Sequence, residues 1–377
     1  MPHSQSHPRL HPQLHPQLHF FVDISSHGFG HLAQTGPVIE ALAARMPELR
    51  LTIRSGLPER QLRLRIGHDF DYIGGASDDA FLMHDAVHID HAASAAAYRA
   101  AHADWSARVD REATWLSGLA PDAVLSNISC LPLAGARRAN IPAVAMCSLN
   151  WADQFKHLFA GEAWAEKIHA ELLAAYAGAD IFLRCTPAMP MPDLGNTLDI
   201  PPLARAGTHC RTAIDQRLGT HAERLVLVVM GGIGYHLPIA RWPQLAGVRW
   251  LVRDAVDASR TDILAYSSLG FHFPDLLASV DAVVTKPGYG MFVESAVVGT
   301  PVLYLRRKDW PEQDVLIDWL LREGTAAEVC PEDFDSGNLL PQLENLWRQP
   351  RKPVTASGAS EAAAAIENLL IRGGRSA

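Results

Sequence analysis

The sequence lacks the features that would send it into a membrane, onto a polyanion or into an oxidising compartment. None of its apolar runs approaches the roughly 18 residues of a membrane-spanning helix, and the N-terminus has no apolar signal-peptide core. Basic residues are outnumbered, 33 Lys and Arg against 41 Asp and Glu, and are scattered, as at Arg60–Arg65, Arg306–Lys308 and Arg348–Lys352. The net charge of −8 leaves no electrostatic footprint for nucleic acid. Cysteine is scarce as well. Cys130, Cys147, Cys185, Cys210 and Cys330 are odd in number, form no CxxC pair and read as buried, reduced thiols. Together these absences predict a cytoplasmic globular protein.

What is present is length and alternation. At about 150 residues per domain, 377 residues suggest two domains. Residues 1–17 carry His3, His7, His11 and His15 with Pro8, Pro12 and Pro16 between them, which forbids a helix and predicts a disordered tail without a defined metal site. From residue 18 short apolar runs alternate with helical patterns, the signature of an α/β fold with parallel sheets. Strands are expected at Leu18–Ile24, Leu49–Arg54, Phe70–Ile73, Ala123–Ser126, Ala143–Cys147 and Ile181–Leu183. A second series is expected at Leu225–Met230, Val248–Val252, Ile263–Ala265, Ala282–Thr285, Val302–Leu305 and Ala327–Val329. The proline-rich stretch from Pro187 to Gly207 reads as the interdomain linker. The division is then a Rossmann-like domain at 18–212, a second at 213–356, and a final amphipathic helix and tail at 357–377. Two such halves imply sheets facing across a cleft, with ligand at the carboxyl ends of the strands.

The first strand runs into Ser25-Ser26-His27-Gly28-Phe29-Gly30-His31-Leu32-Ala33, followed by a helical pattern. A strand, a glycine turn and a helix start leave backbone N–H groups unpaired, and the helix dipole favours an anion there. Gly28 to Ala33 also fits the G-x-G-x-x-A dinucleotide fingerprint, with Arg54 at the end of the next strand available to a 2′-phosphate. His31 at the helix start is a candidate general base, its neutral form favoured by the positive helix end. His27 is a second candidate, with capping of the turn as its alternative role.

The second half repeats the device. Its opening strand ends in Gly231-Gly232-Ile233-Gly234, and a later strand ends in Thr285-Lys286-Pro287-Gly288-Tyr289-Gly290 before a helix containing Glu294. Phosphate oxygens would accept from the exposed N–H groups, Lys286 supplies a point charge, and Glu294 one turn in would accept two ribose hydroxyls. Glu312 and Gln313 lie past another strand end, where carboxylate and amide groups read sugar hydroxyls.

At these residues the sequence resembles the GT-B glycosyltransferases, notably the UDP-glycosyltransferase superfamily and the N-acetylglucosaminyltransferase of lipid II synthesis. Gly30-His31 is similar to their N-terminal Gly-His loop, and Gly288 to Glu294 has the glycine-to-glutamate spacing of their donor signature. A further resemblance, to the glycosyltransferase-like N-terminal region of plant L-arabinokinase, takes in Gly28–His31, Pro121–Ser126, Ser148–Asp153, Lys286–Glu294 and Arg306–Glu312. No kinase domain follows, so sugar-kinase activity is not implied.

The resemblance implies a GT-B fold whose C-terminal half binds a nucleoside diphosphate sugar, the UDP type favoured, and whose N-terminal half receives an acceptor. Gly231, Gly232, Lys286, Gly288, Tyr289 and Gly290 would hold the diphosphate, Glu294 the ribose, and Glu312 with Gln313 the sugar. His31 would deprotonate an acceptor hydroxyl for inverting, metal-independent transfer of a hexosyl or N-acetylhexosaminyl group. Gly28, Gly30, Trp151 and Asp153 fall on the acceptor side. No cofactor is implied, and a lipid acceptor would bring peripheral membrane contact. One departure stands out: where relatives carry an aspartate to orient the histidine, this chain has Asn127, leaving Asp153 as the candidate source of charge. An amide fixes a tautomer but does not neutralise an imidazolium. Two alternatives therefore remain, a non-catalytic nucleotide-sugar binding protein and an NADP oxidoreductase built on Gly28–Ala33.

Overall fold

The structure is a computed structural model that describes residues 17–78, 81–219, 223–232, 234–254 and 259–373. All but the last residue of the expected N-terminal tail lies outside them. Runs apolar at consecutive positions belong in parallel sheets covered on both faces, and every candidate strand forms one. The first sheet comprises β1 (His19–Ile24), β2 (Arg50–Ser55), β3 (Asp71–Gly74), β4 (Ala123–Asn127), β5 (Ala143–Cys147), β6 (Ile181–Cys185) and β7 (Thr197–Ile200). The second comprises β8 (Arg224–Val228), β9 (Val248–Val252), β10 (Ile263–Ala265), β11 (Ala282–Thr285), β12 (Val302–Leu305) and β13 (Ala326–Val329). Both are wholly parallel, in the orders β3-β2-β1-β4-β5-β6-β7 and β10-β9-β8-β11-β12-β13. Each order reverses once, between β1 and β4 and between β8 and β11, and such switch points open a crevice at the carboxyl ends of the strands.

Strand β7 lies inside the stretch read as linker. It is a short edge strand bounded by Pro192 and Pro201, and Leu198 is left exposed, so it carries no apolar periodicity to read. The final helix, Gly358–Gly373, docks back on the first half. Ala362, Ala363, Ile366 and Leu370 are fully buried, and Arg45 of the first helix pairs with Glu367. One apolar core therefore runs through both halves, from Phe20, Val22 and Leu42 to Leu225, Phe292 and Leu370. A loop of the first half adds a second tie: Ala86 and Val87 insert into the core around Trp242 and Trp250, with Ala86 N–H donating to Gly234 and Lys308 N–H to Val87. Cys130, Cys147 and Cys185 are buried, but Cys210 is only partly so and Cys330 is exposed at a helix start, so the expectation of buried thiols fails at that position. No helix among the described residues is long and apolar enough to cross a membrane.

Candidate active site

The two switch points face one cavity of about 730 Å³, within the roughly 300–1,000 Å³ typical of small-molecule sites. Its walls begin at two helix N-termini. The first helix, Gly30–Arg45, and the helix Tyr289–Val298 both start without a side-chain cap, so their leading N–H groups are available to a ligand. Gly28 holds φ near +95°, which a side chain rarely tolerates, and so sets the angle at which β1 enters its helix. The two helices touch at Gly290, where a Cβ would come within 2.9 Å of the Ala33 side chain.

On the first side, the hydrogen bonds behind His31 form a connected chain, although His27 Nε2 and Trp151 Nε1 have no partner among the described residues. His31 Nδ1 lies 2.9 Å from Asn127 Oδ1. Asn127 ends β4 at the strand register of Ile24, and its Nδ2 donates to the carbonyl of His31, to Gln34 Oε1 and to Thr35 Oγ1. That places the amide nitrogen on the three acceptors, so its oxygen accepts from His31 Nδ1–H and leaves Nε2 with a free lone pair. The chain of bonds continues. Gln34 Nε2 donates to Ser148 Oγ at 2.8 Å, and Ser148 donates to Glu312 Oε1 at 2.7 Å. Glu312 Oε2 accepts from Trp310 Nε1. The orientation of His31 is thereby tied, through three polar side chains, to a buried carboxylate of the second half. Burial lowers the His31 pKa to about 4, and it does so more than the Asn127 bond raises it. Burial, rather than the helix end alone, keeps this imidazole neutral.

On the second side, cations are left open. Lys286 follows β11, and its side chain has no hydrogen-bond or ion-pair partner among the described residues. Its pKa is pushed well down by burial and then by the Arg307 charge, with Glu312 opposing. A Cβ built on Gly231 would lie 3.7 Å from Lys286 Nζ, and one on Gly288 3.9 Å, so the ammonium hangs between the two glycine turns. Arg307, just past β12, is 6% exposed and its Nε and Nη2 find no partner among the described residues. Its guanidinium lies over the Trp310 ring, 3.6 Å from the centroid. Burial lowers its pKa to about 10. His27 stacks parallel to Trp310, with its pKa lowered first by burial and then by Arg307, His31 and Lys286.

The structure gathers most of the sequence candidates and disperses a few. His27, Gly28, Gly30, His31, Gly231, Gly232, Lys286, Gly288, Tyr289, Gly290, Glu294 and Glu312 all line the cavity. Gln313 turns inward, bonding both the N–H and the carbonyl of Arg307. Trp151 is buried behind the histidines, its ring edge on both. Asp153 bonds to Asn150, which caps its helix, and not to His31, so it supplies no charge to the base. Tyr289 O–H donates to Thr186 and accepts from Leu203 N–H, pinning the crossing between halves. Glu294, expected to face ribose, is ion-paired with Arg65 of the first half, both oxygens engaged. Arg54 is consumed by Asp23 and Glu112 and stands outside the cavity, which removes the 2′-phosphate partner of the dinucleotide reading.

Sequence reasoning did not single out Arg60, Arg65, Arg205 and Arg253 at the rim, Arg307 within, or Tyr266 and Phe271 after β10. Several follow strand ends, the one positional signal that marks them.

Comparison with known proteins agrees with the architecture. No protein-family model matches the chain. Among solved structures it is similar to the kitacinnamycin glycosyltransferase, at TM-score 0.60 and 15% identity over 95% of this chain and 96% of that one. It is also similar to UGT71G1 of Medicago truncatula, solved with UDP-glucose, at TM-score 0.58 and 11% identity over 96% and 99% of the two chains. The fold is GT-B. A third GT-B structure, UGT89C1 of Arabidopsis thaliana with UDP, matches at TM-score 0.57 and 16% identity over 95% and 99%. Among curated proteins, L-arabinokinase of Arabidopsis thaliana is 23% identical over 350 residues, 85% of this chain. The chain spans about a third of that protein's length, 31%.

Proposed function

We propose that this GT-B protein is a glycosyltransferase that moves a sugar from a nucleoside diphosphate sugar to an acceptor hydroxyl. The observation that carries the reading is the neutral His31 Nε2, aimed into the same cavity as Lys286 and two uncapped helix ends. The acceptor O–H gives its proton to Nε2, and its oxygen forms a bond to the anomeric carbon. The bond from that carbon to the diphosphate oxygen breaks, and its electron pair leaves with the nucleoside diphosphate. Attack from the face opposite the leaving group inverts the anomeric centre. Lys286, the Gly231–Gly232 turn and the Tyr289 helix end neutralise the departing charge without a metal. With Asn127 in place of a carboxylate, the remote charge of Glu312, reached through Ser148 and Gln34, is what polarises His31 as it becomes cationic.

UDP is the favoured nucleotide, since neighbours of the same fold are solved with UDP or UDP-glucose. The test is release of nucleoside diphosphate from a panel of UDP-, GDP- and TDP-sugars with mixed acceptor alcohols, with and without EDTA. The expected result is release with one nucleotide family, unchanged by EDTA and lost in His31→Ala with donor affinity retained. Tight binding without release in the wild type would instead identify a nucleotide-sugar binding protein, the reading that Asn127 favours. No binding of any member overturns the proposal.

A further inference from the structure

Six cations, Arg60, Arg65, Arg205, Arg253, Lys286 and Arg307, line the cavity against two carboxylates, Glu294 and Glu312. In a chain of net charge −8 that excess is local and selects an anionic ligand. Of the two cations beyond the rim, Lys286 stands at the β8/β11 switch point, between the glycine turns where a diphosphate would lie. Arg307 does not. It follows β12, on the side of β11 away from β8, one strand spacing of about 4.8 Å beyond β11. The helix that follows its loop opens with Glu312 and Gln313, and Gln313 holds the Arg307 backbone at both N–H and carbonyl. Glu312, the nearest opposite charge, spends its oxygens on Ser148 and Trp310.

Arg307 therefore keeps a complete edge unsatisfied. Nε–H and Nη2–H are buried and unpartnered among the described residues, while the guanidinium plane is fixed by the Trp310 ring. Two parallel N–H donors on one edge match the two oxygens of a carboxylate, a geometry that neither a sugar hydroxyl nor a point cation reproduces. A hydroxyl would satisfy one donor and leave the other stranded in a buried site. Resting on the proposed transferase reading, we infer that the donor sugar carries a carboxylate, as in a nucleoside diphosphate uronic acid, and that Arg307 is the residue that selects it.

The experiment compares matched donors by calorimetry: UDP-glucose against UDP-glucuronate, and GDP-mannose against GDP-mannuronate, with UDP and GDP alone as references. In the wild type the uronate of one pair binds roughly ten- to a hundredfold more tightly than its hexose, the range of a charge-assisted hydrogen-bond pair. Arg307→Met removes that ratio while its effect on the bare diphosphate is much smaller. Arg307→Lys, which keeps the charge without the fork, recovers only part of the ratio and guards against a folding artefact. Equal binding of hexose and uronate overturns the inference but leaves the transferase reading standing. A parallel loss of bare-diphosphate affinity in Arg307→Met overturns it too, because Arg307 then serves the phosphates. No binding of any nucleotide overturns both.

Discussion

The two halves of the cavity solve opposite problems with the same fold. Behind His31 Nδ1 the polar side chains form a satisfied chain, and its bonds run in one direction through Asn127, Gln34 and Ser148 to Glu312, while His27 Nε2 and Trp151 Nε1 beside it have no partner among the described residues. In the second half Arg307 is buried without a partner on one edge, and the half-buried Lys286 side chain has none among the described residues. A saturated network is rigid before any ligand arrives and pre-orients a base. An unsaturated one stores desolvated charge that an anion relieves, so binding energy is gained where charge later develops. The difference is what the proposed function draws on when it gives proton transfer to the first half and anion recognition to the second.

Breaking each half should give a different signature. The largest effect falls on turnover: His31→Ala removes the base and lowers nucleoside diphosphate release by roughly a hundred- to ten-thousandfold in a donor assay, with donor affinity within a few-fold. Lys286→Met does the reverse. It weakens nucleoside diphosphate binding by roughly ten- to a hundredfold in calorimetry, and the free protein melts no lower, because a half-buried cation without a partner has been removed. Asn127→Asp sharpens the contrast, since it places a carboxylate beside His31 Nδ1 yet loses the two N–H donors that serve three acceptors. With Oδ2 facing the His31 carbonyl, Gln34 Oε1 and Thr35 Oγ1, it should cost about 1–3 kcal/mol in denaturant unfolding. The smallest effect is on acid stability. His31 has a folded pKa of about 4 against 6.5 for the ordinary group, so the unfolded chain takes up the extra proton between those values. The stabilisation is complete above pH 6.5 and is lost as pH falls towards 4. His31→Gln should lose less stability over that window, read as melting temperature against pH.

Much of this was legible in the residues. Short apolar runs alternating with helical patterns marked every strand of both sheets except β7, whose exposed Leu198 and flanking prolines gave no periodicity. The glycine loops located both switch points because strand ends and helix starts are local events. Partnership was not legible, being a property of the closed fold. Nothing near Glu294 in sequence announces Arg65, 229 residues away, and nothing near Asn127 announces that its nitrogen faces three acceptors. The same holds for Arg307, one of three adjacent basic residues, of which Arg306 pairs with Asp314 and Glu328 while Arg307 is buried unpaired.

The central claim is that His31 presents a neutral Nε2 base held by Asn127, and nitrogen NMR of the histidine rings across pH tests it without knowledge of the substrate. The account predicts a proton on Nδ1, a bare Nε2 at neutral pH, and protonation of the ring only near pH 4. A proton on Nε2, or a ring that titrates near the ordinary 6.5, would contradict it.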